Sequence, residues 1–134
     1  MKFYIASSLN NKQQVTLLSN RLKEEGFTHT YDWTKNGRVV SVEKLSKIGE
    51  LERNGVMNSD FFILLLPGGL GSHTELGMAI AGGKRIYIYS ETIEPFNPEK
   101  TTTFYHINGI YKFVGDFEDF IKEILLVENK FNLA

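Results

Sequence analysis

The run of six apolar residues at positions 61–66 is the feature that most limits how this chain can fold. The run has none of the polar alternation of a strand with one solvated face. It therefore predicts a strand buried on both faces, typical of the centre of a parallel sheet. Directly after it, the segment 67–71 reads PGGLG. These glycines permit a sharp turn, so we expect the chain to pass from a central strand through a glycine-rich loop into a helix.

The rest of the chain alternates short apolar runs with amphipathic stretches. The predicted strands occupy residues 3–6, 27–33, 61–66, 84–89 and 110–114. The predicted helices occupy residues 10–25, 41–57, 72–82 and 116–129, and a loop is expected over 90–103. Alternating strands and helices imply right-handed βαβ units with helices on both faces of the sheet. The predicted fold class is therefore α/β, a flavodoxin-like or Rossmann-like three-layer sandwich whose five-stranded parallel sheet has the order 2-1-3-4-5.

The composition excludes several classes of function. The 134 residues contain no repeat or linker, so one domain over residues 1–134 is expected. The formal net charge of −1 lacks the basic signature of a nucleic-acid binder. The chain has no Cys and its three His residues lie far apart, so no metal site is predicted. No apolar run suits a membrane span or a signal peptide, so a cytoplasmic protein without membrane or nucleic-acid partners is expected.

Ligands of open parallel sheets bind beyond the carboxyl ends of the strands, at the point where the strand order reverses. In the predicted order this point lies between the first and third strands. The residues expected around that crevice are Ser7, Ser8, Asp32, Trp33, the segment 67–72 and Ser90. Asp32 could bind a ribose hydroxyl or cap the following turn. Trp33 could stack on a nucleobase or pack against a helix.

The glycine-rich loop is suited to hold a phosphate, a carboxylate or a sugar. Gly68, Gly69 and Gly71 allow the backbone to approach a ligand closely. The start of the next helix adds free N–H groups and a positive dipole end. The loop is not a Walker A motif, because no Gly-Lys-Ser/Thr sequence follows it. His73 lies in the same segment, where it could face the ligand or remain an exposed loop residue.

Glu75 is expected in the first turn of the helix that follows the loop. A carboxylate beside the crevice could serve as a glycosidic nucleophile or a general base. The alternative is structural, because Ser72 and Glu75 have the spacing of a capping box. In that arrangement Ser72 caps the helix and Glu75 accepts a hydrogen bond from the Ser72 N–H. On spacing alone the capping box is the commoner arrangement.

Residues 64–81, LLLPGGLGSHTELGMAIA, closely resemble the glycine loop of the nucleoside 2-deoxyribosyltransferase family. That family includes the 2'-deoxynucleoside 5'-monophosphate N-glycosidases. In its members the loop is followed by a catalytic glutamate that attacks the anomeric carbon of the deoxyribose. The resemblance implies that Glu75 is this nucleophile and that residues 1–134 form one domain of this family. A helix cap and a nucleophile need not exclude each other across a reaction cycle.

The resemblance extends to two further residues. The family's first strand carries a Tyr that positions the nucleophile, and Tyr4 stands at the matching place; its alternative is an aromatic residue of the core. The family also has an Asp eight residues before the Asp that opens the third strand. Here Asp60 opens that strand and Glu52 precedes it by eight. The resemblance implies that Glu52 handles the proton of the departing base; otherwise it is a solvated carboxylate. Gly69 stands where the family often has Ser or Asp.

The resemblance implies cleavage of an N-glycosidic bond, or 2-deoxyribosyl transfer, on a 2'-deoxynucleoside or its 5'-monophosphate. Glu75 would form a glycosyl-enzyme intermediate, Glu52 would protonate the leaving base, and Tyr4 would position Glu75. The expected substrate contacts are Ser7, Ser8, Asp32, Trp33, Gly68, Gly69, Gly71, Ser72 and His73. No cofactor is implied, and a homodimer is expected by resemblance. Carboxyl groups more than about 10 Å apart would be too distant for this pairing.

Two alternatives stay open at this point. The segment 67–75 also resembles the PGGxGTxxE motif of the cytokinin-activating phosphoribohydrolases, with Ser72 in place of Thr. That resemblance implies release of a base from a ribonucleoside monophosphate. The other alternative is a nucleotide or sugar-phosphate binding module without chemistry. It is suggested by Gly69 and Glu52, the two positions that depart from the resembled family's pattern.

Overall fold

The computed structural model describes residues 1–133, and its centre is a five-stranded parallel sheet. The strands are β1 (Lys2–Ser7), β2 (Thr28–His29), β3 (Phe61–Leu65), β4 (Arg85–Ser90) and β5 (Ile110–Val114). The helices are α1 (Lys12–Glu24), α2 (Val42–Met57), α3 (Leu70–Ala81) and α4 (Phe117–Asn132). The strand order is β2-β1-β3-β4-β5 and every pairing is parallel. The predicted α/β class and the order 2-1-3-4-5 are confirmed.

The middle strands supply most of the core. All five side chains of β3 are buried, as the apolar run predicts, and β3 pairs with β1 on one side and β4 on the other. Helices α1 and α4 contact each other, and so do α2 and α3, which gives the two outer layers. The layers bury both faces of β3, which explains why its sequence has no polar alternation. No helix in residues 1–133 has the length and apolarity to cross a membrane.

The second strand is shorter than predicted. The sequence suggests a strand over 27–33, whereas β2 ends at His29 and Trp33 begins a short 3₁₀ turn, Trp33–Lys35. The carboxylate of Asp32 accepts a hydrogen bond from the Thr34 N–H at 3.0 Å and caps this turn. Such local bonds compete with the strand ladder for backbone groups. Aromatic and β-branched composition alone therefore overestimated the length of this edge strand.

Helix α3 begins two residues earlier than predicted, and its cap differs. Gly69 is the N-cap and Ser72 is the third residue of the helix. The Ser72 hydroxyl accepts a hydrogen bond from the Gly69 N–H at 2.6 Å. Glu75 therefore lies in the second turn, and its carboxylate makes no capping bond to Ser72. The Ser72–Glu75 capping box, the structural alternative for Glu75, is not formed, because the Ser72 hydroxyl is bonded to the N–H of Gly69.

Candidate functional site

A cavity of about 860 Å³ opens at the carboxyl ends of β1 and β3, where the strand order reverses. Its lining comes from the β1–α1 turn, the β2–α2 loop, one face of α2 and the start of α3. The predicted residues in this lining are Ser7, Ser8, Trp33, Glu52, Gly69, Gly71, Ser72 and Glu75. The topological switch point therefore collects most of the residues that the sequence had singled out.

Glu75 is the central carboxyl group of this cavity. Its side chain is only 7% exposed. The hydroxyl of Tyr4 donates a hydrogen bond to the Glu75 carboxylate. Tyr4 is fully buried in β1 and stacks on Phe62 of β3, with ring centroids 5.9 Å apart. The phenol is thus both a core residue and a hydrogen-bond donor to Glu75, and its role in positioning a nucleophile stays a prediction.

Glu52 and Glu75 interact directly across the gap between α2 and α3. Burial raises the pKa of Glu75 to about 8, the Tyr4 hydrogen bond opposes this rise, and the charge of Glu52 adds to it. Burial also raises the pKa of Glu52, against a hydrogen bond from Glu75 that lowers it. The hydrogen bond between the two carboxyl groups raises the pKa of Glu75 and lowers that of Glu52, so the proton they share is held mainly on Glu75. Two groups within hydrogen-bond reach lie well inside the limit of about 10 Å for this pairing, and their roles as acid and nucleophile stay a prediction.

Gly55 explains how α2 brings Glu52 to this position. A Cβ atom at Gly55 would lie 2.9 Å from Cβ of Tyr31 and 3.1 Å from the ring of Tyr4. The Gly55 carbonyl also accepts a hydrogen bond from the Thr30 hydroxyl at 2.7 Å. Only a glycine permits this close approach of helix to sheet. The sequence analysis missed Gly55, although a glycine inside an amphipathic helix is a signal for such packing.

Two basic side chains, Lys12 and Arg38, also line the cavity. Neither is among the ion pairs or side-chain hydrogen bonds formed within residues 1–133. The start of α3 faces the same cavity through Gly69, Leu70 and Gly71. The first N–H groups of a helix have no acceptor within it and carry a positive partial charge. The lining therefore combines a proton-sharing acid pair with several groups that attract an anion. Sequence analysis missed Arg38, because it lies in a loop without a motif.

Four residues expected around the crevice do not line the cavity. Asp32 caps the 3₁₀ turn, so its structural alternative is the one seen. Ser90 is buried and accepts a hydrogen bond from the Thr92 N–H. Gly68 packs under the loop, where a Cβ atom would come within 2.5 Å of the Ser72 hydroxyl. His73 turns to the other side of α3.

Trp33 lines the cavity but is also fixed by the sheet. The indole ring is 5% exposed, and its N–H donates a hydrogen bond to the Ile5 carbonyl at 2.7 Å. The polar end of the ring is therefore occupied by β1. Stacking of the ring on a nucleobase stays a prediction.

Within residues 1–133 no group of three or more His, Asp or Glu side chains is placed to hold a metal ion. The described groups of the cavity are carboxyls, hydroxyls, amides, two cations and backbone N–H groups. Chemistry built from these groups alone is acid, base or nucleophilic chemistry of the carboxyls.

No protein-family model and no curated protein matches the chain. Among solved structures, the chain is similar to the Clostridium botulinum CMP N-glycosidase BcmB, with a TM-score of 0.63 and 16% sequence identity. The similarity covers 92% of this chain and 98% of that chain. At this level of identity the similarity shows a shared fold.

Proposed function

We propose that this protein cleaves the N-glycosidic bond of a 2'-deoxynucleoside 5'-monophosphate through a glycosyl-enzyme intermediate on Glu75. The observation that carries the proposal is the cluster of buried Tyr4 and Glu75 with half-buried Glu52 at the topological switch point. Two carboxyl groups that share one proton are the minimum set for a nucleophile and an acid at one glycosidic carbon. The fold similarity to a nucleotide N-glycosidase supports the same assignment.

In the first half of the reaction, the proton that the pair shares moves from Glu75 to Glu52, and the ionised Glu75 carboxylate attacks C1' of the sugar. The C1'–N bond breaks, its electron pair goes to the departing base, and protonated Glu52 donates a proton to that base. The ester between Glu75 and C1' is the intermediate. The Tyr4 hydroxyl stabilises the ionised form of Glu75 before attack and again when the carboxylate is released.

In the second half, the Glu52 carboxylate takes a proton from water, and the resulting oxygen nucleophile attacks C1'. The ester bond to Glu75 breaks, and the free sugar phosphate leaves. A second base in place of water would make the reaction a deoxyribosyl transfer. The chemistry on Glu75 is the same in both cases, so only the acceptor separates hydrolase from transferase.

A 5'-phosphate on the substrate suits the charges of the cavity. Arg38 and Lys12 bring two cations that have no ion-pair partner within residues 1–133, and the α3 N-terminus adds backbone donors. A phosphate group would use these donors, whereas an uncharged nucleoside would leave them without a partner. We therefore place the monophosphate above the nucleoside as the substrate. Backbone N–H groups at Leu70 and Gly71 take the role of the hydroxyl that position 69 lacks, because the Gly69 N–H is already bonded to the Ser72 hydroxyl.

A ribonucleoside monophosphate is the second candidate substrate. The named activity of the similar structure is on CMP, a ribonucleotide, and the PGGxGSxxE pattern of residues 67–75 gives the same indication. The two substrates differ by one hydroxyl at C2' of the sugar. Comparing matched ribo and deoxy substrates tests which one the cavity takes.

The test is base release from deoxynucleosides, deoxynucleoside monophosphates and their ribo counterparts, followed by chromatography, with and without a second free base. We expect release from monophosphates and its loss in Glu75→Gln and Glu52→Gln. Glu50→Gln is the matched control, because Glu50 lies on the same helix but is exposed and paired with Arg53. Tight binding of every substrate without base release would instead favour a nucleotide-binding module.

A further inference from the structure

A second cavity of about 590 Å³ lies on the other side of α3 from Glu75. Its lining includes His73, Leu76 and Ile80 of α3, and Pro95, Phe104 and Tyr105 of the connection between β4 and β5. None of these six residues lines the cavity that holds Glu75. Helix α3 therefore separates two cavities that have different walls. The volume is in the range of small-molecule sites, about 300–1,000 Å³.

The walls of the second cavity are mainly apolar. Leu76, Ile80 and Pro95 provide aliphatic surface, and Phe104 is 59% exposed although it is a large aromatic residue. An exposed aromatic ring beside aliphatic walls is suited to stack on a flat ligand ring. The lining has one Lys, Lys100, and its ammonium group pairs with Glu94 at 2.8 Å. Unlike the first cavity, this one therefore offers a ligand no unpaired charged side chain among its lining residues.

The polar end of the second cavity has a defined hydrogen-bond direction. His73 Nδ1 lies 2.8 Å from the Gly69 carbonyl, which can only accept, so Nδ1 carries the hydrogen. In the neutral ring Nε2 is then the acceptor, and it receives the Tyr105 O–H at 2.6 Å. The phenol hydrogen of Tyr105 is thus committed, and its oxygen can still accept a hydrogen bond. A ligand that meets Tyr105 in this cavity is recognised through an N–H or O–H donor.

We propose that this second cavity binds a planar, uncharged heteroaromatic ligand that carries a ring N–H or exocyclic amino donor. The apolar walls and the exposed ring of Phe104 favour a planar ring. Because Lys100 is paired with Glu94, the ligand needs no negative charge. The Tyr105 oxygen accepts a hydrogen bond from the donor of the ligand. Tyr105 is also connected to the glycine-rich loop, because His73 forms hydrogen bonds with both the Tyr105 hydroxyl and the Gly69 carbonyl. The inference concerns a different cavity from the proposed reaction and does not depend on it.

The test uses adenine as the probe and methyl-labelled full-length protein in NMR titrations. Methyl signals of Leu76 and Ile80 report the second cavity, whereas those of Leu45 and Ile48 report the cavity of Glu75. We expect saturable shifts at Leu76 and Ile80. Benzoate, a planar anion of similar shape without a donor, is expected to shift them much less.

A filling variant and a matched control locate the site. Gly77 lines the second cavity, and a Cβ atom there meets nothing within 4 Å, so Gly77→Leu should fold and place its side chain in the cavity. Gly49→Leu makes the same change in α2, where a Cβ atom also meets nothing within 4 Å, and Gly49 lines neither cavity described here. We expect adenine affinity to fall about tenfold or more in Gly77→Leu, and to change less than about twofold in Gly49→Leu.

A second variant, Phe104→Ala, controls for indirect effects of Gly77→Leu on adenine binding. Phe104→Ala removes the stacking wall and, because Phe104 is largely exposed, should leave the melting temperature nearly unchanged. It should weaken adenine binding as Gly77→Leu does. Three results would overturn the proposal: adenine shifts confined to Leu45 and Ile48, shifts at Ile80 that survive both variants, or no adenine shifts together with a dimer that Gly77→Leu dissociates. The last result would make this cavity an interface between copies of the chain.

Discussion

At the scale of single residues, burial is the main cause of the raised pKa of Glu75, and two neighbours change that pKa in opposite directions. The Tyr4 hydroxyl favours the carboxylate and lowers the pKa of Glu75, whereas the charge of Glu52 raises it. The proposed nucleophile is active only when ionised, while the proposed acid must hold the proton. The pair therefore works as a unit, and its two protonation steps belong to both residues.

Tyr4→Phe should move the pH dependence of the reaction to higher pH. The change removes the hydrogen bond that lowers the pKa of Glu75, so the ionised nucleophile forms at higher pH. We expect the rising limb of kcat/KM against pH to shift upward, with kcat at pH 7 lower by about tenfold or more. Tyr111→Phe is the matched control, because Tyr111 is 45% exposed and lies on β5. An unshifted profile would show that Tyr4 acts in packing alone.

Arg38→Ala should separate phosphorylated from unphosphorylated substrates. Arg38 has no ion-pair partner within residues 1–133, so its loss removes a contact to the ligand and leaves no orphaned carboxylate. A lost charge-assisted hydrogen bond corresponds to a rise in KM for monophosphates of about tenfold to a hundredfold. KM for nucleosides should stay unchanged. Lys47→Ala on α2, outside the cavity lining, is the control, and equal losses for both substrate types would contradict a phosphate contact.

At the scale of secondary-structure elements, periodicity predicted the sheet and the helices but not their exact limits. The buried run at 61–66 and the face of Val15, Leu18 and Leu22 on α1 behave as predicted, because burial of an apolar face decides both. The limits of β2 and the start of α3 depend on single side-chain hydrogen bonds from Asp32 and Ser72. Such bonds have no periodic signature, so the cap by Asp32 was only one of two alternatives and the bond between Ser72 and Gly69 was not predicted.

Gly55→Ala should damage both the packing of α2 and the site. The added Cβ would meet Tyr31 and the Tyr4 ring at 2.9 and 3.1 Å, so α2 must move away from β1 and carry Glu52 with it. We expect a loss of about 1–3 kcal/mol in the free energy of unfolding, measured in urea, and a clear fall in kcat. Gly49→Ala is the control: its Cβ meets nothing within 4 Å, and the change should stabilise α2 slightly. Equal stability of the two variants would refute the close-contact explanation.

Glu128→Gln should weaken the docking of α4 without affecting chemistry. Glu128 is fully buried and receives two hydrogen bonds from Arg85, at 2.9 and 2.6 Å, and one from Tyr87. The neutral amide leaves the Arg85 charge without its partner, at a cost of about 3 kcal/mol in the free energy of unfolding. Arg85 is the first residue of β4, so it lies at the amino ends of the strands, away from the cavity at their carboxyl ends. We expect an unchanged kcat and a lower melting temperature. Glu123→Gln, at an exposed position of α4, is the control. A lower kcat in the folded variant would contradict a purely structural role of Glu128.

At the scale of the whole molecule, the candidate site and the main buried ion pair lie at opposite ends of the strands. The carboxyl ends of β1 and β3 hold the acid pair, and the amino end of β4 holds the ion pair of Arg85 and Glu128. The glycine-rich loop and the crevice were predictable because parallel topology fixes where strand ends meet. The closeness of Glu52 and Glu75 was expected only through a family resemblance. It depends on the close approach of α2 to Tyr4 and Tyr31 at Gly55, whose only local signal is a glycine inside an amphipathic helix.

The buried acid pair also predicts how the stability of the whole protein varies with pH. The pKa of Glu75 is about 8 in the folded protein and 4.5 without the fold. A raised pKa of an acid gives stability that is complete below 4.5 and is lost as the pH rises through 8. The unfolded state releases the proton first, so the folded state becomes less favourable across this range.

Glu75→Gln should therefore stabilise the protein most at alkaline pH. An amide carries no charge to bury, so the variant should match wild type near pH 4.5 and exceed it near pH 8.5 by on the order of 2 kcal/mol in the free energy of unfolding. Burial lowers the pKa of His29 to about 4, which makes the protein less stable at acid pH. His29 is present in both the wild type and the variant, so this effect cancels in their difference. Urea unfolding at several pH values measures the difference, with Glu50→Gln as control. A difference independent of pH would mean that Glu75 is not held protonated by the fold, and a variant less stable at pH 8.5 would assign the carboxylate a structural role.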